Sequence, residues 1–251
     1  MPYEQVLTEE RGRVGIVTLN NPDKLNALGE PMDTEMREAI EAYNNDPAIG
    51  AIVLTGAGKG FCAGANIQGW DSGIKRAEES GNGMRITDRR ENWVSFIQRS
   101  KPIIAAINGV SIGAGLTITL PCDIRYASER ARLSMRFVRV GVLPELASSR
   151  LLVNIVGLGQ ALELMLSGRI IDAPEAGRIC LVNKVLPEDQ LLEAAVETAA
   201  EIAFNPAESL AAIKRETWAN LFDGDLAPTV LRRATHLQNG LRLVCASKID
   251  P

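Results

Sequence analysis

Histidine is almost missing from this chain of 251 residues, His236 being the single one. Ser-His-Asp catalysis and metal sites built from several histidines are thereby effectively excluded. The four cysteines, Cys62, Cys122, Cys180 and Cys245, lie far apart and form no C-x-x-C pair. Neither a disulfide framework nor a thiolate metal site is expected, and a reducing cytoplasm is the fitting compartment. No apolar run approaches the roughly 18 residues of a membrane span, and Met1-Pro2-Tyr3-Glu4 lacks the basic and apolar pattern of a signal segment. Neither sign of charge dominates: Lys+Arg 27 against Asp+Glu 31 gives a net charge of -4. Nucleic acid and anionic membranes are therefore not expected partners.

What the chain does have is apolar material, 46% of its residues, enough for one large core or two modest ones. Short β-branched or alanine-rich runs recur at Val14–Leu19, Ala51–Thr55, Ile103–Ile107, Ile124–Ala127 and Leu181–Val185, each bounded by Gly, Asn, Asp or Pro. Helical patterns lie between several of them. Met32, Met36, Ile40 and Tyr43 share one helix face that ends at Asp46-Pro47. A second pattern runs from Gly157 to Leu166 with Gly168 as its stop, and Asp172-Ala173-Pro174-Glu175 opens a short third helix. The alternation predicts an α/β fold of stacked turns. After Pro187 strand signals vanish: Leu191, Leu192, Ala195, Val196, Ala199, Ile202 and Ala203 line one helix face, and segments 207–221 and 226–243 read as further helices. Residues 1–187 are thus expected to form a core and 188–251 an all-helical region. Asp71–Gly83, rich in Gly, Ser and charge, reads as a mobile loop.

Two glycine and alanine clusters carry the chemistry. Gly60-Phe61-Cys62-Ala63-Gly64-Ala65-Asn66-Ile67 and Asn108-Gly109-Val110-Ser111-Ile112-Gly113-Ala114-Gly115 each follow an apolar strand and allow backbone N–H groups to approach a ligand closely. Together they can form a two-donor oxyanion hole. With Asn20–Leu28, Ala51–Gly56, Lys101–Gly109, Cys122–Ala127, Ala161–Leu164 and Gly168–Ala176 in this order, the chain resembles the crotonase (enoyl-CoA hydratase/isomerase) superfamily. The resemblance implies a spiral of ββα repeats with a C-terminal helical region that builds a trimer, or a dimer of trimers. It implies an acyl-CoA thioester as ligand, with coenzyme A as part of the substrate and no separate cofactor or metal.

Residue by residue, the resemblance places the oxyanion N–H groups on Ala65 and Ala114. It puts CoA contacts at Lys24, Leu25, Ala27, Ala63 and Ile67, and Trp70 reads equally as pocket wall or as loop anchor. Hydratases of the family carry two glutamates at places held here by Thr117 and Phe137, neither of which can take a proton from water. Glu145, in Pro144-Glu145-Leu146-Ala147-Ser148-Ser149, matches the single glutamate of enoyl-CoA isomerases in the superfamily. An apolar wall of Phe137, Val142 and Leu146 would raise its pKa. Its alternative role is a structural one, capping the helix that begins near Ala147 or pairing with Arg150. Cys62, beside the first cluster, reads as a small buried thiol. The expected activity is an enoyl-CoA double-bond shift by Glu145. The alternatives are a hydratase or hydrolase using the same residue, and a catalytically idle protein that binds CoA thioesters.

Overall fold

Valine, isoleucine and alanine run without interruption through the central strands because those strands are covered on both faces. In the computed structural model, which describes residues 3–65 and 91–221, β3 (Ala51–Gly56) and β5 (Ile103–Ile107) have hardly an exposed atom. They lie at the middle of a six-stranded sheet. Its order is β1 (Val6–Arg11), β2 (Val14–Leu19), β3, β5, β7 (Ile124–Ser128) and β10 (Lys184–Leu186). All neighbours are parallel except the β1–β2 pair.

A second, four-stranded sheet runs β4 (Gly60–Cys62), β6 (Val110–Ile112), β8 (Arg132–Ser134) and β9 (Ile171–Asp172). The chain alternates between the two sheets. β3 passes to β4, β5 to β6 and β7 to β8, and each strand adds parallel to the one a turn earlier. This is the spiral of ββα turns expected from the sequence.

Helices close both layers. The face of α1 (Met32–Asn45) that carries Met32, Met36, Ile40 and Tyr43 joins the large core between the sheets, together with Trp93, Phe96 and Ile97 of α2 (Trp93–Arg99). Asp46 ends α1, as the Asp-Pro step requires. The short α3 (Ala114–Thr117) follows β6, and α4 (Ser148–Val156) and α5 (Leu158–Ser167) pack against each other. Gly168, left-handed, stops α5. Asp172 caps α6 (Ala173–Arg178) by accepting a hydrogen bond from the Glu175 N–H at 2.9 Å.

α7 (Glu188–Ala203) lays Leu191, Ala195, Val196, Ala199 and Ala203 across the far face of the large sheet, against Val14, Ile16, Val53, Ile104 and Tyr126. α8 (Ala207–Leu221) is pinned by Lys214, whose ammonium donates to the Asp123 carboxylate at 2.8 Å. The first part of the helical region therefore folds back onto the core.

One expected strand is shorter and later than its apolar run. Leu181 and Val182 are buried, but in the turn that closes α6, where both N–H groups bond to Ala176 and Cys180 adopts a left-handed backbone. Asn183 then ties this turn to Arg125, and only Lys184–Leu186 reaches the sheet. Ile67, Trp70, the expected loop Asp71–Gly83, His236 and the expected helix 226–243 lie outside the described residues.

The contact between the end of β4 and the helix start that follows β6 is made by bare backbone. A Cβ added to Gly115 would lie 2.0 Å from the Cys62 carbonyl oxygen. Gly115→Ala is therefore expected to lower stability by about 3 kcal/mol or more in urea denaturation, at the upper end of overpacking changes. Gly159→Ala, whose new Cβ meets nothing within 4 Å, should leave it unchanged or slightly raised.

Candidate active site

Three glycines bring the two loops together. β4 and β6 pair in parallel, Gly60 opposite Val110 and Cys62 opposite Ser111. Gly64 has φ +101°, and a Cβ there would fall 2.7 Å from the Ile112 carbonyl oxygen and 3.6 Å from the Ala114 nitrogen. Gly109 comes closer still to the Lys59 carbonyl oxygen, its Cβ position 2.1 Å away, and Gly115 to that of Cys62 at 2.0 Å. Gly113, also at positive φ, turns the chain into α3 so that Ala114 is the first helical residue. The Ala114 N–H has no partner within its helix. Among the described residues neither it nor the Ala65 N–H donates a hydrogen bond.

Two buried or half-buried asparagines fix the first loop. Asn26 accepts from the Asn21 N–H at 2.8 Å and donates to the carbonyls of Ala57 at 2.9 Å and Gly60 at 2.8 Å. Asn108 accepts from the Gly56 N–H at 3.2 Å and donates to the Gly58 carbonyl at 3.0 Å. The turn holding Leu25 and Leu28 is laced to the same loop: the Ala63 N–H bonds to the Leu25 carbonyl at 2.9 Å, and the Leu28 N–H to that of Gly64 at 2.7 Å.

A cavity of about 270 Å³ opens on this junction. Its lining includes Ala63, Ala65, Ala114, Phe137, Val142 and Glu145, all named from the sequence, on three separate turns of the spiral. It also includes Ile112, Arg136, Val140 and Leu143, which the sequence reading missed. Arg136–Val140 form a 3-10 turn, and that turn brings Arg136 and Val140 to the same wall as Phe137. Lys24, Leu25 and Ala27 are not part of this lining; they sit in the adjoining turn, with Lys24 exposed.

Glu145 stands between that turn and α4. Leu146 and Ala147 both adopt left-handed φ of 54°, which reverses the chain after Glu145 before the helix begins. Ala147 is the N-cap of α4 and no side chain caps it, so the Glu145 carboxylate does not serve the helix. Burial in the cavity wall pushes the Glu145 pKa up, and the carboxylate of Asp33 on α1 pushes in the same direction. Of the apolar wall expected from the sequence, Phe137 and Val142 line the cavity and Leu146 does not, while Asp33 arrives from a distant helix and was not foreseen. The residue keeps contact with water through the open cavity.

Thr117 is fully buried, its hydroxyl donating to the Ala114 carbonyl at 3.2 Å, and Phe137 is almost buried. Cys62 is buried too, and burial pushes its thiol up to about 12, which leaves it protonated and inert at neutral pH. Among the described residues no group of three or more His, Cys, Asp or Glu side chains is placed to hold a metal ion. A larger concavity of about 580 Å³ lies between α2 and α8. Its basic groups are already engaged, Arg99 by Glu41 and Glu91, Lys214 by Asp123 and Arg215 by Glu216, and among the described residues its lining has no carboxylate.

Known proteins share this layout. The family model described as Enoyl-CoA hydratase/isomerase matches residues 9–238. The mitochondrial enoyl-CoA hydratase of Pongo abelii is 35% identical over 228 residues, covering 90% of this chain and 76% of that protein. The short-chain-enoyl-CoA hydratase of Clostridium acetobutylicum is 38% identical over 208 residues, 82% of this chain and 77% of its own. A solved structure of a monofunctional enoyl CoA isomerase from M. smegmatis superposes with a TM-score of 0.74 at 30% identity, covering 90% of this chain and 98% of that one. With this match spanning both glycine loops, Glu145 and the spiral that carries them, the chain belongs to the enoyl-CoA hydratase/isomerase family of the crotonase superfamily.

Proposed function

We propose that the protein is an enoyl-CoA isomerase in which Glu145 is the sole acid/base. The observation that carries this reading is one cavity that, among the described residues, holds one carboxylate beside two free amides, with Thr117 and Phe137 at the places of the hydratase glutamates. The thioester carbonyl oxygen of a 3-enoyl-CoA sits on the Ala65 and Ala114 N–H groups. Glu145 removes a proton from C2, the electron pair moves into a dienolate whose charge rests on that oxygen, and the same carboxyl returns the proton to C4. Both amides are fixed before charge develops, so their stabilisation needs no reorganisation. Lys24, Leu25, Ala27 and Ala63 hold the CoA portion on this reading, and Ile67 and Trp70 are assigned to the same ligand from sequence alone. Hydration is the second reading, favoured by the hydratase names of the relatives; there Glu145 would activate water in place of two glutamates.

Assembly belongs to the same proposal. Leu158, Leu162 and Leu166 form an exposed stripe on α5, and Phe204 and Ile213 stand out near and on α8, which suits packing of copies into a trimer or a pair of trimers. No helix among the described residues is long and apolar enough to cross a membrane. We assign the protein to the cytoplasm on the cysteine usage.

Glu145→Gln keeps the shape but cannot accept a proton, so isomerisation should fall by about 10² to 10⁴ with ligand affinity little changed; near wild-type turnover would remove the single-base mechanism. Wild-type protein in deuterated water should incorporate deuterium at C2 or C4, read by mass spectrometry.

The pH profile follows from the raised pKa. Glu145 must be ionised to act as base, so kcat/KM should drop on acidification through a pKa above the 4.5 of an ordinary glutamate, a limb absent from any residual activity of the Gln variant. In that window the folded state holds a proton that the unfolded chain has released, so this group makes stability fall as pH rises. Glu145→Gln should therefore be slightly more stable than wild type at neutral pH, with the difference closing below the ordinary carboxylate pKa in urea titrations. Light scattering should give a multiple of the 27.1 kDa monomer, in threes, at micromolar concentration.

A further inference from the structure

Arg136 is the one cation among the described residues of the cavity lining. It opens the 3-10 turn whose Phe137 and Val140 face the same space, and Glu145 apart, the rest of the lining is alanine, glycine and apolar side chains. Several arginines elsewhere have acidic or carbonyl partners: Arg99 bonds Glu41 and Glu91, Arg169 bonds Glu163 and Glu175, Arg130 pairs with Glu188, and the buried Arg125 donates to four carbonyls. Among the described residues Arg136 makes no hydrogen bond or ion pair. It is not paired with Glu145 either, whose carboxyl responds to burial and to Asp33.

An exposed guanidinium with no partner among the described residues, on a largely apolar wall, suits a planar anion, which it can hold through two parallel N–H bonds. An acyl-CoA brings two sources of negative charge, the phosphates of the nucleotide and a free carboxylate at the far end of the acyl chain. Position favours the acyl end, because Arg136 shares its wall with Phe137 and Glu145 while the Lys24–Ala27 turn assigned to CoA lies off this lining. We infer that Arg136 selects thioesters of short dicarboxylic acids, binding the free carboxylate while the thioester oxygen rests on the Ala65 and Ala114 amides. Without that cation a second carboxylate in the cavity would be repelled by ionised Glu145. A methyl-ended chain, by contrast, would displace part of the water from this exposed guanidinium and offer it no partner. The inference rests on the proposed thioester chemistry and names its substrate class.

The test compares hex-3-enoyl-CoA with hex-3-enedioyl-CoA, and the matching pantetheine thioesters, on the full chain and on Arg136→Met and Arg136→Lys. Wild type should favour the carboxylate-ended substrate in kcat/KM by about tenfold or more, with the preference kept on pantetheine. Arg136→Met should lose about tenfold more on the carboxylate-ended substrate than on the methyl-ended one, chiefly through KM, and Arg136→Lys should restore part of it. Equal losses on both chain ends that vanish with pantetheine would assign Arg136 to the CoA phosphates and overturn the inference. Identical behaviour of variant and wild type on every substrate would overturn it as well, leaving Arg136 a solvated surface charge. If neither substrate turns over, the isomerase reading fails alone, since calorimetric affinities of the two thioesters still show whether Arg136 distinguishes them.

Discussion

Backbone touching backbone at the ends of β4 and β6 is the constraint on which the rest of the molecule depends. Gly64, Gly109 and Gly115 each stand where a Cβ would lie within 2.7 Å of a carbonyl oxygen on the facing strand or loop. That closeness sets two amide groups, on Ala65 and Ala114, at the mouth of one cavity. Side chains could not do the same: a lysine or asparagine aimed at an oxyanion must be ordered at an entropic cost, whereas amides fixed by a sheet and a helix start are ordered already. Asn26 and Asn108 complete the arrangement by satisfying the carbonyls of residues 57, 58 and 60, which the tight turn would otherwise leave unpaired.

The electrostatics follow from this economy. With the thioester oxygen assigned to backbone donors, the side chains of the cavity are free to be apolar, and most of them are. An apolar wall lifts the pKa of the lone carboxyl, and Asp33 adds to the lift from outside the lining. A carboxyl with a raised pKa is a stronger base when ionised and a better acid when protonated near neutrality, which suits a residue that must accept a proton and give it back. Two carboxylates in so small a space would raise one another further and divide the roles, as a mechanism that adds water requires.

Legibility in the sequence followed periodicity and glycine. Val14–Leu19 and Ile103–Ile107 read as strands and are strands to the residue, because parallel strands buried on both faces leave an uninterrupted apolar run. The face Met32, Met36, Ile40 and Tyr43 was equally plain. Short-sheet strands such as β8 and β9 are only two or three residues long and carry no pattern of their own; the larger sheet and the turns between place them. Leu181 and Val182 misled for the opposite reason, since a buried turn needs apolar residues as much as a strand does. At the site, Ala63, Ala65, Ala114, Phe137, Val142 and Glu145 line one cavity. Arg136 was silent in sequence because a 3-10 turn of five residues is too short for its three-residue period to show which of them face inward.

The spiral explains why such a site can be retuned without refolding. Each ββα turn delivers one strand end to the cavity, so the oxyanion donors come from two successive turns and Glu145 from the segment after a third. Thr117 and Phe137 occupy positions set by α3 and the 3-10 turn, and their replacement by carboxylates would change no backbone hydrogen bond recorded there. The charge pattern of the cavity is therefore separable from the backbone framework that holds its amides. The same separability lets a cation enter the wall at position 136 without disturbing Phe137, because neighbouring residues of a 3-10 turn project about 120° apart. One of them can close the core while the next meets the ligand.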